Sequence, residues 1–229
     1  MRVVGVSGDD GGPGTTVFAQ HLAHGTDPAV LAHDAGWAVI SPLSAARDAK
    51  GDIVLSLLVR ALDGERRPRE PGRGRDAGLT LPPDAEPEAR QRVAAYAVVL
   101  SERGLLATEY SGKTAVPGRW GMPGGGIDEG EEPAAAVLRE VTEETDQQVV
   151  LEGLVRVQTS HWVGRSPRGT IEDFQAVRLV YRARCPEPQE PRVLDVGGTT
   201  ASARWVPLPD WPQVSWTHNW EELLADLLP

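Results

Sequence analysis

The sequence predicts an α+β fold, that is, a layered domain with a mixed β-sheet. Apolar, β-prone runs at 93–101, 149–160 and 174–184 read as strands. Amphipathic segments at 132–145 and 220–228 read as helices, because their apolar residues recur at helical spacing. The strands and helices are mixed without regular βαβ alternation, and this favours an α+β or mixed-sheet layered domain.

Composition is typical of a globular protein: 229 residues, of which 40% are hydrophobic and 24% charged. The single cysteine, Cys185, excludes a disulfide within the chain and favours a reducing compartment. No apolar run reaches the length of a membrane span, and the first residues lack the features of a secretion signal. We therefore expect a cytoplasmic protein with no membrane partner.

The formal net charge of −10 constrains the ligands. A chain this acidic is expected to show no non-specific binding to nucleic acid or to anionic membranes. A phosphate-bearing metabolite would also be repelled unless a divalent cation lay between it and the acidic side chains.

Three regions are predicted from composition. Residues 1–63 form an N-terminal segment, in which 17–24 is expected to be a short helix and 36–43 with 53–62 a β-hairpin. This hairpin would extend the sheet, cover an edge or mediate a homodimer. Residues 64–92 are rich in Pro, Gly and charge and are expected to be a linker or exposed loop. Residues 93–229 form the main domain.

The chemistry is expected in the segment 123–145, PGGGIDEGEEPAAAVLREVTEET. Its helix carries an apolar stripe of Ala134, Val137, Leu138 and Val141. On another face are three acids whose oxygens suit a hard cation such as Mg²⁺; they are Glu140, Glu143 and Glu144.

Acid-rich helix faces are often merely solvated, so the helix alone is a weak signal. The preceding glycines, 124–126, allow the backbone to approach a ligand closely. Arg139 is expected to offset the repulsion through its i,i+4 relation to Glu143. The combination of loop, Arg-Glu pair and Glu-Glu pair is a strong signal.

This segment resembles the Nudix box. The matching residues are Gly125, Glu131, Arg139, Glu140, Val141, Glu143 and Glu144. Trp120, Pro123-Gly124 and the run 203–208 also resemble flanking parts of the family domain. The resemblance implies a layered α/β/α fold with a mixed β-sheet.

The resemblance ends where the family has glycine and an aliphatic residue, because this chain has Asp146 and Gln147. The family glycine would end the helix in a left-handed conformation. Aspartate tolerates that conformation better than most residues. We expect a small loss of stability without loss of chemistry, and Val149 and Val150 are expected to replace the missing apolar contact.

The family resemblance also implies roles. Glu140, Glu143, Glu144 and the Gly124 carbonyl would hold Mg²⁺, or Mn²⁺ in its place. Gly125, Glu131 and Arg139 would be structural, with Glu131 and Arg139 tying the loop to the helix. The bound metal would activate water for attack on phosphorus.

The proton acceptor stays open. Within the box, Glu140 and Glu143 are candidates; outside it, Glu172 and Asp173 are candidates, with an exposed loop pair as the alternative reading. Trp120 and Trp162 are candidates for stacking on a nucleobase, although packing is the commoner use of such rings.

The implied function is hydrolysis of the diphosphate linkage in a nucleoside diphosphate derivative. Nucleotide sugars, ADP-ribose-like compounds and nucleoside triphosphates, including oxidised ones, remain alternative substrates. A non-catalytic Nudix-like module that senses a nucleotide or binds a partner is the alternative function. Such modules typically lose box acids, whereas all three acids are present here.

Overall fold

The computed structural model describes residues 1–8, 14–76, 78–81, 86–166 and 169–228. Its strands and helices, in chain order, are β1 (Arg2–Ser7), β2 (Thr15–His21), α1 (Pro28–Asp34), β3 (Trp37–Arg47), β4 (Ile53–Ala61), β5 (Arg73–Arg75), β6 (Glu88–Ser101), β7 (Gly104–Tyr110), β8 (Trp120–Gly121), β9 (Gly124–Gly126), α2 (Pro133–Thr145), β10 (Val150–Arg165), β11 (Ile171–Arg184), β12 (Thr200–Val206), a 3₁₀ helix (Leu208–Gln213) and α3 (His218–Leu227).

The chain divides into two compact units. One unit contains residues 1–94 and 154–179, and the other contains 95–153 and 180–229. Strands β6, β10 and β11 contribute residues to both units. The regions predicted from the sequence are consecutive segments with a boundary at residue 92, whereas each of these two units combines separate segments. The boundary at residue 92 remains a prediction.

The first unit contains a four-stranded sheet with the order β2-β1-β4-β3. Strand β1 is antiparallel to β2 and parallel to β4, and β3 and β4 form the hairpin that the sequence predicted. Alternate residues of β4, including Leu55, Leu57 and Val59, are buried, as expected for a strand with one covered face. Helix α1 begins after Asp27, whose Oδ1 accepts a hydrogen bond from Ala29 N–H at 2.8 Å.

The predicted helix at 17–24 is wrong. Residues 15–21 form β2, because pairing with β1 satisfies their backbone groups and overrides a weak local helix preference. Within the segment predicted as a linker, the structure places β5, which pairs in parallel with β10. Residues 77 and 82–85 of that segment lie outside the described residues.

The second unit contains the end of β6 and the hairpin from β6 to β7, joined at residues 101–104. Strand β12 pairs with β7 on its other side, β8 also pairs with β7, and β9 pairs with β6. Helix α2 packs against β9 and β12. The predicted α+β class is confirmed. Helix α2, which carries Glu140, Glu143 and Glu144, lies beside β9, the strand of the three glycines that is called the glycine loop below.

Helix α2 buries a stripe different in detail from the predicted one. Val137 and Val141 are fully buried, but Leu138 is 38% exposed and Ala136 is buried in its place. The apolar face is therefore rotated slightly from the predicted position. In the described part of the chain, no helix combines the length and the apolar character that crossing a membrane requires.

Candidate active site

The glycine loop is held against β6. The Ala97 N–H donates a hydrogen bond to the Pro123 carbonyl at 3.0 Å. Gly124 has φ = 145°, and a Cβ there would lie 2.4 Å from the Ala95 carbonyl oxygen and 2.5 Å from Tyr96 Cα. Both the conformation and the close backbone approach require glycine at 124.

Gly125 makes room for Glu140. A Cβ at residue 125 would lie 2.6 Å from Glu140 Oε1, so the carboxylate rests directly on the glycine backbone. The predicted structural role of Gly125 thus has a specific physical basis. The absence of a side chain lets an acid of α2 reach the loop.

Arg139 joins the loop to the helix. It donates from Nε and Nη2 to the two oxygens of Glu131, at 2.9 and 3.0 Å, and from Nη2 to the Gly126 carbonyl at 3.0 Å. Its Nη1 donates to Glu140 Oε1 at 3.0 Å and to Glu143 Oε2 at 3.1 Å. The last contact is the i,i+4 pair that the sequence predicted.

These contacts fix the charge of the guanidinium. The hydrogen bonds that Arg139 donates to Glu131 are the main reason that the pKa of Arg139 is raised above its ordinary value, and burial opposes them. Bidentate pairing with Glu131 also fixes the orientation of the guanidinium. Glu140 and Glu143 therefore converge on one rigid cationic nitrogen.

Glu144 is buried, with 7% exposure. Its Oε2 accepts a hydrogen bond from Gly124 N–H at 2.9 Å, and its Oε1 accepts one from the Thr200 hydroxyl. Burial raises the pKa of Glu144 to about 7, although these two hydrogen bonds oppose the shift. Thr200 was not predicted as a site residue. It lies 56 residues after Glu144 in the sequence, at the start of β12, and only the fold brings the two together.

The three predicted metal-binding acids are thus held by different partners. Glu140 and Glu143 share Arg139, whereas Glu144 binds the glycine loop and β12. Across the residues that the structure describes, these acids do not form a group whose ligand atoms all lie within 4.8 Å of one another. Glu143 is the most exposed, with 44% of its side chain accessible, against 16% for Glu140.

The end of α2 explains the departure from the box pattern. Asp146 has φ = 55° and ψ = 32°, which is the predicted left-handed conformation. Gln147 is 1% exposed; its Nε2 donates to the Thr145 and Asp146 carbonyls, and its Oε1 accepts from Gln189 N–H at 2.9 Å. The buried amide fills the aliphatic position, so the expected replacement by Val149 and Val150 is wrong for Val150, which is 48% exposed.

Glu172 and Asp173 belong to the first unit, where they are not an exposed loop pair. They lie at the start of β11. Glu172 is 8% exposed and accepts a hydrogen bond from Arg90 at 3.0 Å, and Asp173 accepts two from Arg73. Both acids are engaged in ion pairs, and although burial opposes the shift, the hydrogen bonds from Arg73 hold the pKa of Asp173 below its ordinary value.

The two tryptophans have protein partners. The guanidinium of Arg204 lies over the Trp120 ring, 4.2 Å from its centroid. In the first unit, Trp162 contacts Phe174 with a centroid separation of 4.7 Å and lines a small pocket with Glu172. Stacking on a nucleobase stays a prediction for both rings.

Part of the chain resembles known proteins in sequence. Residues 90–227 match the sequence model of the NUDIX domain, and this match covers more than half of the chain. The chain belongs to the Nudix family. Nudix hydrolases generally use divalent metal ions, which agrees with the acids placed along α2.

Curated Nudix relatives match parts of the chain. Nudix hydrolase 26 of Arabidopsis thaliana is 32% identical over 80 residues, which is 35% of this chain and 34% of that protein. An RNA pyrophosphohydrolase of Brucella ovis is 30% identical over 138 residues, which is 51% of this chain and 74% of that protein. The match thus spans about a third of the Arabidopsis protein's length.

Solved Nudix structures also align with the chain. The NUDIX domain of Shewanella oneidensis NrtR, in complex with ADP ribose, is 23% identical, with a TM-score of 0.45 over 60% of this chain and 86% of that one. A NUDIX hydrolase from Nitrosomonas europaea is 21% identical, with a TM-score of 0.47 over 60% of this chain and 88% of that one.

Proposed function

We propose that this Nudix protein is a Mg²⁺-dependent pyrophosphohydrolase that cleaves the diphosphate linkage of a nucleoside diphosphate derivative. The observation that carries the proposal is the contact of two acids of α2 with the glycine loop. Glu140 rests on Gly125, and Glu144 accepts the Gly124 N–H. Acidic oxygens and the glycine backbone are thereby combined at one place in the second unit.

The donor set fits Mg²⁺. Glu140, Glu143, Glu144 and the Gly124 carbonyl offer only oxygen, and hard cations prefer oxygen ligands. Glu140 and Glu143 also accept hydrogen bonds from the Arg139 guanidinium, so a bound cation would share these two carboxylates with Arg139. When bound there, Mg²⁺ would polarise phosphoryl oxygens and lower the pKa of water. Mn²⁺ would meet the same donors.

We place the proton acceptor on Glu143. Its carboxylate is the most exposed of the three, so water and substrate reach it directly. Glu140 is held between Arg139 and Gly125 and suits ligand binding better than proton transfer. Glu172 and Asp173 remain candidates, but their side chains are only 10% and 16% exposed, so water reaches them less readily than it reaches Glu143.

The test is hydrolysis of a substrate panel with Mg²⁺, with products identified by mass spectrometry. The panel contains a nucleotide sugar, ADP-ribose, a dinucleoside polyphosphate, ordinary and oxidised nucleoside triphosphates, and an RNA with a terminal pyrophosphate bond. The RNA is included because the Brucella relative is named an RNA pyrophosphohydrolase. We expect turnover of at least one compound, and E143Q is expected to lower kcat by roughly 100-fold or more.

The alternative is a module that binds a nucleotide without cleaving it. Retention of Glu140, Glu143 and Glu144 favours the enzyme. Calorimetric binding of a panel compound without turnover in Mg²⁺ or Mn²⁺ would support the sensor and refute the enzyme. If E143Q and E172Q both turn over substrate as fast as the wild type, neither Glu143 nor Glu172 is the proton acceptor.

A homodimer remains a separate proposal. Strand β3 is at one end of the sheet order β2-β1-β4-β3, and it exposes Ile40 and Leu43 at 56% and 44%. An accessible strand with apolar side chains can pair with a second copy. Light scattering after size exclusion, at micromolar concentration, decides this proposal: a monomer removes it.

A further inference from the structure

Two histidines and an aspartate meet in the first unit, on three different segments. His24 follows β2, His161 lies in β10, and Asp173 lies in β11. One ligand atom from each residue lies within 4.8 Å of the other two. Among the described residues, His24, His161 and Asp173 form the cluster of metal-ligating side chains that meets this limit.

One atom in the group lacks a partner. His24 Nε2 is buried and makes no hydrogen bond to the described residues. It lies 3.7 Å from Asp173 Oδ1, the same oxygen that lies 2.6 Å from His161 Nε2. A buried polar atom without a partner is destabilising, and a ligand at this point would offset that cost.

The loop that carries His24 is held in place. Gln175, fully buried, accepts a hydrogen bond from Gly25 N–H at 2.8 Å and donates one to the Thr26 carbonyl at 2.7 Å. Gln91 donates to the same Gln175 oxygen at 2.9 Å. The imidazole position therefore depends on a satisfied internal network that connects the loop to β6 and β11.

Asp173 is also oriented. Arg73 pairs in register with His161 between β5 and β10, and it donates to Asp173 Oδ1 at 3.3 Å and Oδ2 at 2.9 Å. Supporting contacts of this kind fix a carboxylate ligand and are common around metal sites. The side chains of His24, His161 and Asp173 are 27%, 11% and 16% exposed, so the group lies close to the surface although His24 Nε2 itself is buried.

We infer that His24, His161 and Asp173 bind a transition-metal ion, for which Zn²⁺ is the best fit, at a site separate from the Nudix box. Imidazole nitrogens with one carboxylate suit Zn²⁺, whereas Mg²⁺ prefers oxygen ligands. Three protein ligands leave a coordination position for water.

Only small movements are needed. Two ligands of a tetrahedral Zn²⁺ at about 2.1 Å are roughly 3.4 Å apart. The 3.7 Å separation of His24 Nε2 and Asp173 Oδ1 is already close to this value. The separation of His161 Nε2 and Asp173 Oδ1 would increase from 2.6 Å, as the metal takes the place of the hydrogen bond and the ring proton of the neutral His161 is carried on Nδ1 instead.

The test uses the full chain after treatment with a chelator. The protein is dialysed against Zn²⁺ in a large excess of Mg²⁺, which occupies oxygen-only sites, and bound zinc is measured by mass spectrometry. We expect about one Zn²⁺ per chain in the wild type, and at least about 100-fold weaker binding in H24A, H161A and D173N. H21A is the matched control, because His21 is exposed at the end of β2, and E143Q controls for the box.

A second measurement avoids dependence on variants that fold poorly. Co²⁺ added to the wild-type protein is expected to give paramagnetically shifted imidazole proton signals from two histidines. The inference is overturned if the wild type retains no Zn²⁺ in excess Mg²⁺, or if no histidine signal responds to Co²⁺. It is also overturned if folded H24A and D173N bind Zn²⁺ as tightly as H21A does.

Discussion

Glu144 accepts a hydrogen bond from the backbone N–H of Gly124 at 2.9 Å, although its carboxyl is buried and its pKa is raised to about 7. A buried carboxyl is costly to ionise, so this placement is unfavourable for stability alone. Its position beside the glycine loop is explained if the acid serves a bound cation. Glu144 is therefore the residue at which stability and activity are expected to change in opposite directions.

The first prediction is for E144Q. Glutamine keeps the size and one acceptor oxygen for Gly124 but removes the charge. We expect kcat to fall by roughly 100-fold while the metal-free protein keeps or gains thermal stability at pH 8, since no buried carboxylate forms. Steady-state kinetics and thermal unfolding measure both effects. The exposed E129Q is the matched control, and an active E144Q would remove Glu144 from the site.

The second prediction is for G125A. Its new methyl group would meet Glu140 Oε1 at 2.6 Å, so the carboxylate must move away from the loop. We expect a loss of activity of roughly 10–100-fold and weaker Mg²⁺ binding. G112A is the control in the same unit, because a Cβ at Gly112 would meet nothing within 4 Å. Equal activity of the two variants would show that the position of Glu140 is unimportant.

The third prediction concerns the pair of Arg139 and Glu131. The bidentate geometry at 2.9 and 3.0 Å cannot be reproduced by lysine. A double-mutant cycle with R139K and E131Q is expected to give a coupling energy of about 1–3 kcal/mol in urea unfolding. A coupling below about 0.3 kcal/mol would mean that the pair does not tie loop and helix together.

The fourth prediction is for D146G. Asp146 is the single non-glycine residue with positive φ in the described part of the chain. Glycine removes the steric cost of this conformation, so we expect a gain of roughly 0.5–1 kcal/mol in the free energy of unfolding. Activity should stay within about twofold of the wild type. D146A, which keeps a Cβ and loses the polar side chain, should be destabilised; if it matches D146G, conformational strain is not the cause.

The fifth prediction concerns pH. Tyr181 is 5% exposed, and burial, with a smaller effect of Glu132, raises its pKa to about 12 from the ordinary 10.0. The unfolded chain ionises first, so the stabilisation is complete below pH 10 and is lost as pH rises towards 12.

Y181F removes this titration and also removes a hydroxyl that has no hydrogen-bond partner among the described residues. Relative to the wild type, it should be somewhat more stable near neutral pH, because the unpaired hydroxyl is gone, and this advantage should grow by about 1–2 kcal/mol by pH 11. Urea unfolding at several pH values measures the difference. A constant difference between the two proteins would contradict the raised pKa.

Local patterns in the sequence were sufficient for much of the fold and the box. Helix α2 was predicted over 132–145 and spans Pro133–Thr145, and the hairpin of β3 and β4 was also predicted. Each of these features depends on residues close together in the chain. The ion pair of Arg139 with Glu143 was predictable for the same reason, since it follows from helix geometry alone.

Features that depend on distant residues were not predictable. Thr200 reaches Glu144 only because β12 pairs with β7 in a specific register, and His24 meets Asp173 only through the folding of three segments. Strand β2 was predicted as a helix because its partner β1 determines its conformation. Glu172 and Asp173 were placed in a loop because β11 begins three residues earlier than its apolar run.

Strand β1 lies inside its sheet, between β2 and β4, and Arg2 pairs with Val54. During synthesis, β1 therefore cannot pair with β4 until about fifty further residues have been made and β4 has left the ribosome. An expression clone that began after Ser7 would lack the strand that links β2 to β4. Its product would expose two unpaired strand edges and would be prone to insolubility for a reason unrelated to catalysis.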